Sequence, residues 1–224
     1  MLAPPRCMRR CRPTRDPRRD PRRNPRRNPR HPAVALARPS AKIPPVTAPT
    51  DAAALLRLAA PFAPDLPQAG AERLLRYLDA MLQLNEQINL TAVRDREQAV
   101  VLHALDGLAF ARTGLSPQHA LDIGTGNGFP GVAVAALHSR ASVTLMDRTG
   151  KKVRSIGSCL VTAGIGNADA VQLDAAQAPA LQRELRHAFD LVTARAVGKP
   201  ELVAELAAPL TRPGGHLCLW LDAD

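Results

Sequence analysis

Residues 120–131 read ALDIGTGNGFPG, an apolar run that carries Asp122 and then four glycines, Gly124, Gly126, Gly128 and Gly131, within eight positions. Glycine permits positive φ and lets bare backbone approach a neighbour closely. Further along, VTLMD ends in Asp147, where a carboxylate can accept hydrogen bonds from two vicinal ribose hydroxyls. Asp174-Ala175 follows the next apolar run, where an acid can accept from an adenine amino group. Acceptors for a ribose and an adenine behind a glycine loop are the chemistry of an adenosine-bearing cofactor. Gly126, Gly128 and Gly131 fit GxGxxG, and Asp147 lies 19 residues beyond Gly128, so a dinucleotide-dependent oxidoreductase stays open. Three details favour S-adenosylmethionine instead. Asp122 stands where it can face a methionine amino group, the loop is a denser GxGxG, and Pro213-Gly214-Gly215 opens the last apolar run.

A second set of polar residues lies upstream. Asn85, Asn89 and Thr91 fall where one helical pattern ends, and His103 and Asp106 stand one turn apart on the next. Helix termination and a surface His–Asp contact explain them as readily as chemistry does. Cys7, Cys11, Cys159 and Cys218 include no CxxC pair. Ordinary thiols are expected, with no disulfide framework and no metal site.

The elements that must position these residues follow from periodicity. Strands are expected over 119–123, 142–147, 169–173, 189–194 and 215–221, with helices over 130–138, 149–163, about 176–187 and 199–209. Alternating strand and helix with nearly continuous apolar strands predicts an α/β fold with a parallel, doubly wound, Rossmann-like sheet. Its ligands bind at the carboxyl ends of the strands, where the residues above fall. Before the first strand, helical spacing appears over 51–60, from Ala71 to Leu90, and over 95–112. The expected organisation is an arm over 1–50, a helical layer over 51–118 and the cofactor-binding α/β core over 119–224.

The chain holds 30 Lys and Arg against 20 Asp and Glu, yet residues 1–50 carry 14 and 2 of these, leaving 16 and 18 for the rest. The basic character therefore belongs to the arm. Residues 16–32, DPRRDPRRNPRRNPRHP, repeat proline every fourth place, which denies helix and sheet ladders, and disorder is expected over 1–50. Such an arm either seeks RNA phosphates or is a non-selected extension. Aromatics make up only 3%, so the core must be built from Leu, Ala and Val. No apolar run reaches the roughly 18 residues of a membrane span, and no apolar segment follows the N-terminal arginines as in a secretory signal. A cytoplasmic protein is expected.

From about Leu84 to Leu221 the chain resembles the ribosomal RNA small-subunit methyltransferase G family, also called glucose-inhibited division protein B. LNEQINLTAVRD, HALDGL, LDIGTGNGFPGVAVA, VTLMDRTGKKVRSI and FDLVTARAV carry the resemblance. It implies a class I methyltransferase that uses S-adenosyl-L-methionine to methylate guanine N7 in the 530 loop of 16S rRNA, on the RNA or the small ribosomal subunit, as a monomer. Asp122, Gly124, Gly126, Gly128 and Phe129 would lie along the methionine part of the cofactor, Asp147 at the ribose, and Asp174 and Ala175 at the adenine. Arg195 would stand beside the methyl group and position base or phosphate. Arg148, Lys151, Lys152 and Arg154, with His103 and Asn89, would face RNA. Leu84 stands where the family has Trp, and Gly107 where it has Ser. Family members continue through further strands where this chain reads LWLDAD, so the final part of the sheet is expected to be missing and an edge exposed. A truncated, inactive cofactor- or RNA-binding remnant is the alternative.

Overall fold

A computed structural model describes residues 33–37, as backbone, and 51–221. Six parallel strands form one sheet in the order β1-β6-β5-β2-β3-β4. They are β1 Ala33–Ala37, β2 His119–Ile123, β3 Ser142–Asp147, β4 Ala168–Gln172, β5 Phe189–Arg195 and β6 Thr211–Leu221. The chain runs outward from β2 through β3 to β4, then crosses to β5 and β6. The strand order therefore reverses beside β2, where a crevice opens at the carboxyl ends.

Apolar stripes set the layers. Helix α2 (Gln68–Ile88) buries Leu74, Leu75, Leu78 and Met81 and packs against α5 (Gly131–Leu137) and α6 (Gly150–Ala163). Helix α1 (Ala52–Ala59) joins them, its Asp51 cap accepting from the Ala54 N–H at 2.8 Å. These helices share one core with Val143, Leu145 and Leu191 of the sheet. The opposite face of the sheet, with Leu121, Ile123, Val192 and Leu217, is covered by α8 (Pro200–Ala207) and by Ala178 of α7 (Ala178–Leu181).

Three expectations change. The helix over 95–112 is a continuous helical segment, 96–113, but not a uniform one. Helix α3 (Arg96–Ala99) passes into a π turn over Val100–Leu105, then α4 (Asp106–Leu108) and a 3-10 turn over Ala109–Thr113. The helix over 176–187 breaks: α7 stops at Leu181, Gln182 is extended, and Arg183–Leu185 make one 3-10 turn. Only Ala178 of this stretch is buried and Leu181 is 66% exposed, so no apolar face sustains a longer helix. Finally, the arm is not structureless throughout. Ala33–Ala37, five apolar residues between Pro32 and Pro39, pair with β6 from Ala33 against Leu217 to Ala37 against Leu221. The strand edge expected to lie open is thus met by the chain's own N-terminal segment, which satisfies backbone groups that an edge leaves unpaired. The Asp/Asn-Pro-Arg-Arg repeat lies outside the described residues.

Candidate active site

A cavity of about 350 Å³ opens at the carboxyl ends of β2, β3 and β4. This is within the roughly 300–1,000 Å³ of small-molecule pockets. Gly124 forms part of its floor, Asp147, Arg148 and Lys152 one side, and Asp174 and Ala175 another. Leu173, Val197, Leu202 and Leu206 supply an apolar wall. Six of the residues expected at a cofactor or RNA, on three separate segments, therefore meet around one space.

Asp147 is held for its task by backbone. One carboxylate oxygen accepts from the Gly126 N–H at 3.1 Å and the other from the Thr149 N–H at 2.8 Å. A carboxylate offers about four acceptor sites, so each oxygen retains capacity for a hydroxyl. Asp174 is fixed similarly, one oxygen accepting from the Ala176 N–H at 2.9 Å in an Asx turn. Gly124 sits at φ +62°, and a Cβ there would lie 2.8 Å from a Val197 methyl, so the loop's first glycine is required both by conformation and by close approach.

Asp122 has a different place from the one expected. It is fully buried, one oxygen accepting from the Thr193 hydroxyl at 2.7 Å and the other from the Gly131 N–H at 3.2 Å. Burial raises its carboxyl to about 6, against the lowering effect of those hydrogen bonds and of the Arg195 charge. Asp122 thus ties the glycine loop to β5 and the start of α5 from beneath and has no surface with which to meet a methionine amino group. Gly128 and Phe129 also turn inward. Phe129 is 2% exposed, edge-on to Tyr77 and stacked on His103 with ring centroids 5.7 Å apart in both pairs. A Cβ on Gly128 would collide with the Tyr77 hydroxyl. These two residues hold the loop rather than line the cavity.

Arg195 ends β5 and reaches back to the helical segment. It donates to the Leu102 carbonyl at 2.9 Å, to Asp106 at 3.0 Å and to the Asn127 side-chain oxygen at 3.3 Å. Its side chain is only 7% exposed. The guanidinium joins the helical layer to the glycine loop, and it does not present itself to an RNA phosphate. His103 is likewise buried, its Nε2 3.0 Å from the Thr91 hydroxyl and its Nδ1 3.3 Å from Arg195. A buried ring enclosed by these partners and Phe129 is not an RNA contact, which corrects the expectation for His103. The π turn is where this meeting occurs, with the Leu102 carbonyl serving Arg195. Trp220 of β6 supports the same segment, its indole N–H donating to the Asp106 carbonyl at 3.0 Å.

Asn89 is exposed and left-handed at φ 54°, the cap of α2, and its side-chain oxygen accepts from Arg94 at 3.2 Å. Arg148, Lys151 and Arg154 are exposed at the start of α6, with Lys152 partly buried at the cavity. Tyr77 and Asn127 were not legible as site residues, whereas Asn85 was marked only by its place where a helical pattern ends. Asn85 clamps the turn after α2, donating to the Thr91 and Val93 carbonyls at 3.0 and 3.3 Å and accepting from the Thr91 N–H at 2.9 Å. Cys159 and Cys218 are buried thiols that burial raises to about 11 and about 12, unsuited to nucleophilic work.

Residues 70–221 match the family model described as rRNA small subunit methyltransferase G. The chain belongs to that family. A relative from Symbiobacterium thermophilum, named Ribosomal RNA small subunit methyltransferase G, is 37% identical over 156 residues, 66% of this chain and 62% of its own length. The Clostridium botulinum protein of the same name is 34% identical over 155 residues, 68% of this chain and 64% of its own. The chain therefore spans somewhat under two thirds of the length of these relatives. Among solved structures, a putative O-methyltransferase from Klebsiella pneumoniae aligns at 20% identity over 62% of each chain with a TM-score of 0.48. Family membership sets the dinucleotide-dependent oxidoreductase aside. The cavity's donor set agrees with an adenosyl cofactor: acceptors on β3 and after β4 for hydroxyls and an amino group, and apolar side chains to enclose a purine.

Proposed function

We propose that the chain binds S-adenosyl-L-methionine in this cavity and methylates small-subunit ribosomal RNA, at N7 of a guanine in the 530 loop. The observation that carries the reading is the convergence of Gly124, Asp147, Asp174 and Ala175 on one cavity at the switch in strand order. Asp147 would accept from the ribose hydroxyls and Asp174 from the adenine amino group. Leu173, Val197, Leu202 and Leu206 exclude water around the purine. The backbone of the glycine loop that begins at Gly124 would hold the methionine arm.

When bound, the cofactor supplies an electrophilic methyl group. Guanine N7 carries a free lone pair and no proton, so the chain needs no general base. That fits a site whose histidine is locked in a hydrogen-bonded cluster and whose thiols are buried. What this chain contributes is alignment and a fixed electrostatic frame. Arg195 maintains that frame by pinning Asn127 against the helical segment, a positioning role. Arg148, Lys151 and Arg154, with Asn89, offer an exposed polar and basic surface to RNA phosphates. The substrate is 16S rRNA or the small ribosomal subunit, engaged by a monomer in the cytoplasm. No described helix is long and apolar enough to cross a membrane.

The test is transfer of tritium-labelled methyl from S-adenosyl-L-methionine to unmodified small-subunit RNA or particles by the purified full chain. Incorporation into the small-subunit RNA, and none into large-subunit RNA, is expected. Incorporation into neither, with cofactor bound, would contradict the reading.

A further inference from the structure

Tyr77 lies in the helical layer, 50 residues before the glycine loop, and no part of the cavity is lined by it. Its side chain is fully buried, and its hydroxyl donates to the Asn127 backbone carbonyl at 3.0 Å. The same hydroxyl fills the space that a side chain on Gly128 would need. Its ring meets Phe129 edge-on. Three successive loop residues, 127 to 129, thus rest on one phenol.

The loop needs such a support. Gly124, Gly126 and Gly128 all have positive φ, at 62°, 59° and 97°. Glycines lose the most backbone freedom on ordering, so a run of them takes a single shape only where neighbours impose it. On the cavity side Asp147 holds the Gly126 N–H, and beneath the loop Asp122 holds the Gly131 N–H. Between these anchors the loop is fixed from behind, by Tyr77 on the Asn127 carbonyl and by Arg195 on the Asn127 side chain. The Asn127 side-chain oxygen also accepts from the Phe129 N–H at 3.2 Å, so its orientation follows that of the backbone Tyr77 holds.

We infer that Tyr77 is a positioning residue for the methionine side of the cofactor site, acting through Asn127 and Gly128. This rests on the cofactor reading above and adds to it a residue of the helical layer. The adenosine side, built on Asp147, Asp174 and Ala175, has no contact with Tyr77. The inference therefore predicts a split between two ligands. S-adenosylmethionine would use the whole loop, whereas adenosine would use only the cavity at the ends of β2, β3 and β4.

The experiment is calorimetric titration of the full chain and of Tyr77→Phe with S-adenosylmethionine and with adenosine. Phe keeps the ring against Phe129 and removes only the hydroxyl. In Y77F, affinity for S-adenosylmethionine should fall about tenfold, the scale of one buried hydrogen bond lost, and affinity for adenosine should be unchanged. Because the chain contains one tyrosine, 3-fluorotyrosine labelling gives a single fluorine resonance from Tyr77 in the unmutated chain, which serves if Y77F folds poorly. That resonance should shift with S-adenosylmethionine and not with adenosine. Equal weakening of both ligands, no weakening of either, or a resonance indifferent to S-adenosylmethionine would overturn the inference. An unmutated chain that binds adenosine but not S-adenosylmethionine would instead overturn the cofactor reading beneath it.

Discussion

The Arg195 guanidinium meets the Asp106 carboxylate at 3.0 Å across 89 residues of sequence, with both side chains largely shielded from water, 7% and 13% exposed. The pair welds the end of β5 to the helical segment, and Arg195 passes the constraint on to the glycine loop through Asn127. Removing one member of a shielded ion pair leaves the other uncompensated, which costs more than the pair itself contributes. Asp106→Ala should lower the free energy of unfolding by about 3 kcal/mol in urea titration. Asp106→Asn, which can still accept from Arg195, should cost less. Equal stability of D106A and the unmutated chain would show that the weld is not there.

Asp147 should dominate cofactor affinity. Its two oxygens are already aimed by the Gly126 and Thr149 amides, so a ribose diol finds both acceptors in place. Asp147→Ala should weaken S-adenosylmethionine binding roughly 100-fold, the scale of two charge-assisted hydrogen bonds. Calorimetry reads this directly, and a loss below threefold would place the ribose elsewhere.

Gly124→Ala carries two separable penalties. An L-residue in the left-handed region costs about 1–2 kcal/mol, and its Cβ would press on a Val197 methyl 2.8 Å away. Adding Val197→Ala removes the second penalty and leaves the first. G124A alone should bind cofactor poorly, and G124A with V197A should recover part of the affinity. If the double variant is as weak as the single one, the contact with Val197 is not what limits the site.

Asp122 makes stability depend on pH. Its folded-state value is raised to about 6, mainly by burial, above the ordinary carboxylate value expected when unfolded. The folded state therefore holds the proton more tightly, and this residue's contribution to stability is largest below about pH 4. It declines as pH rises toward 6 and beyond, by on the order of 3 kcal/mol. Asp122→Asn, whose amide can donate to the Thr193 hydroxyl, lacks this titration. The stability of D122N relative to the unmutated chain should rise between pH 4 and 7 in parallel urea titrations. A flat difference over that range would refute the raised value.

Lys151 and Arg154, exposed on α6, should matter to RNA and not to cofactor. Replacing both with Ala should weaken RNA binding across sequences and reduce the slope of log affinity against log salt by about one per residue, with cofactor affinity unchanged. An unaltered salt slope would move the RNA contact off this helix.

The cavity residues were readable because a parallel sheet delivers its strand ends to one side. Asp147, Asp174 and Ala175 stand directly after apolar runs, so strand assignment alone places them near the glycine loop. The buried cluster was not readable in the same way. His103 looked like a group facing RNA, and Arg195 like one beside the methyl group, because nothing local shows that they meet each other 92 residues apart, largely shielded from water. Asp122 and Phe129 sit inside the motif yet point beneath it, a direction set by Thr193 and Tyr77 on distant elements. β1 was hidden for another reason. Five apolar residues inside a proline- and arginine-rich arm look like linker until β6 offers an edge for them to pair with.

Mapping N7-methylguanine on small-subunit RNA reads the reaction and its target together. Small-subunit RNA would be incubated with the full chain and S-adenosylmethionine, treated with borohydride and aniline, and read for strand cleavage by primer extension. A single new cleavage, in the 530 loop and absent without cofactor, is the predicted result. An unmarked RNA, from a chain shown by calorimetry to bind S-adenosylmethionine, would contradict it and leave a cofactor-binding protein without this reaction.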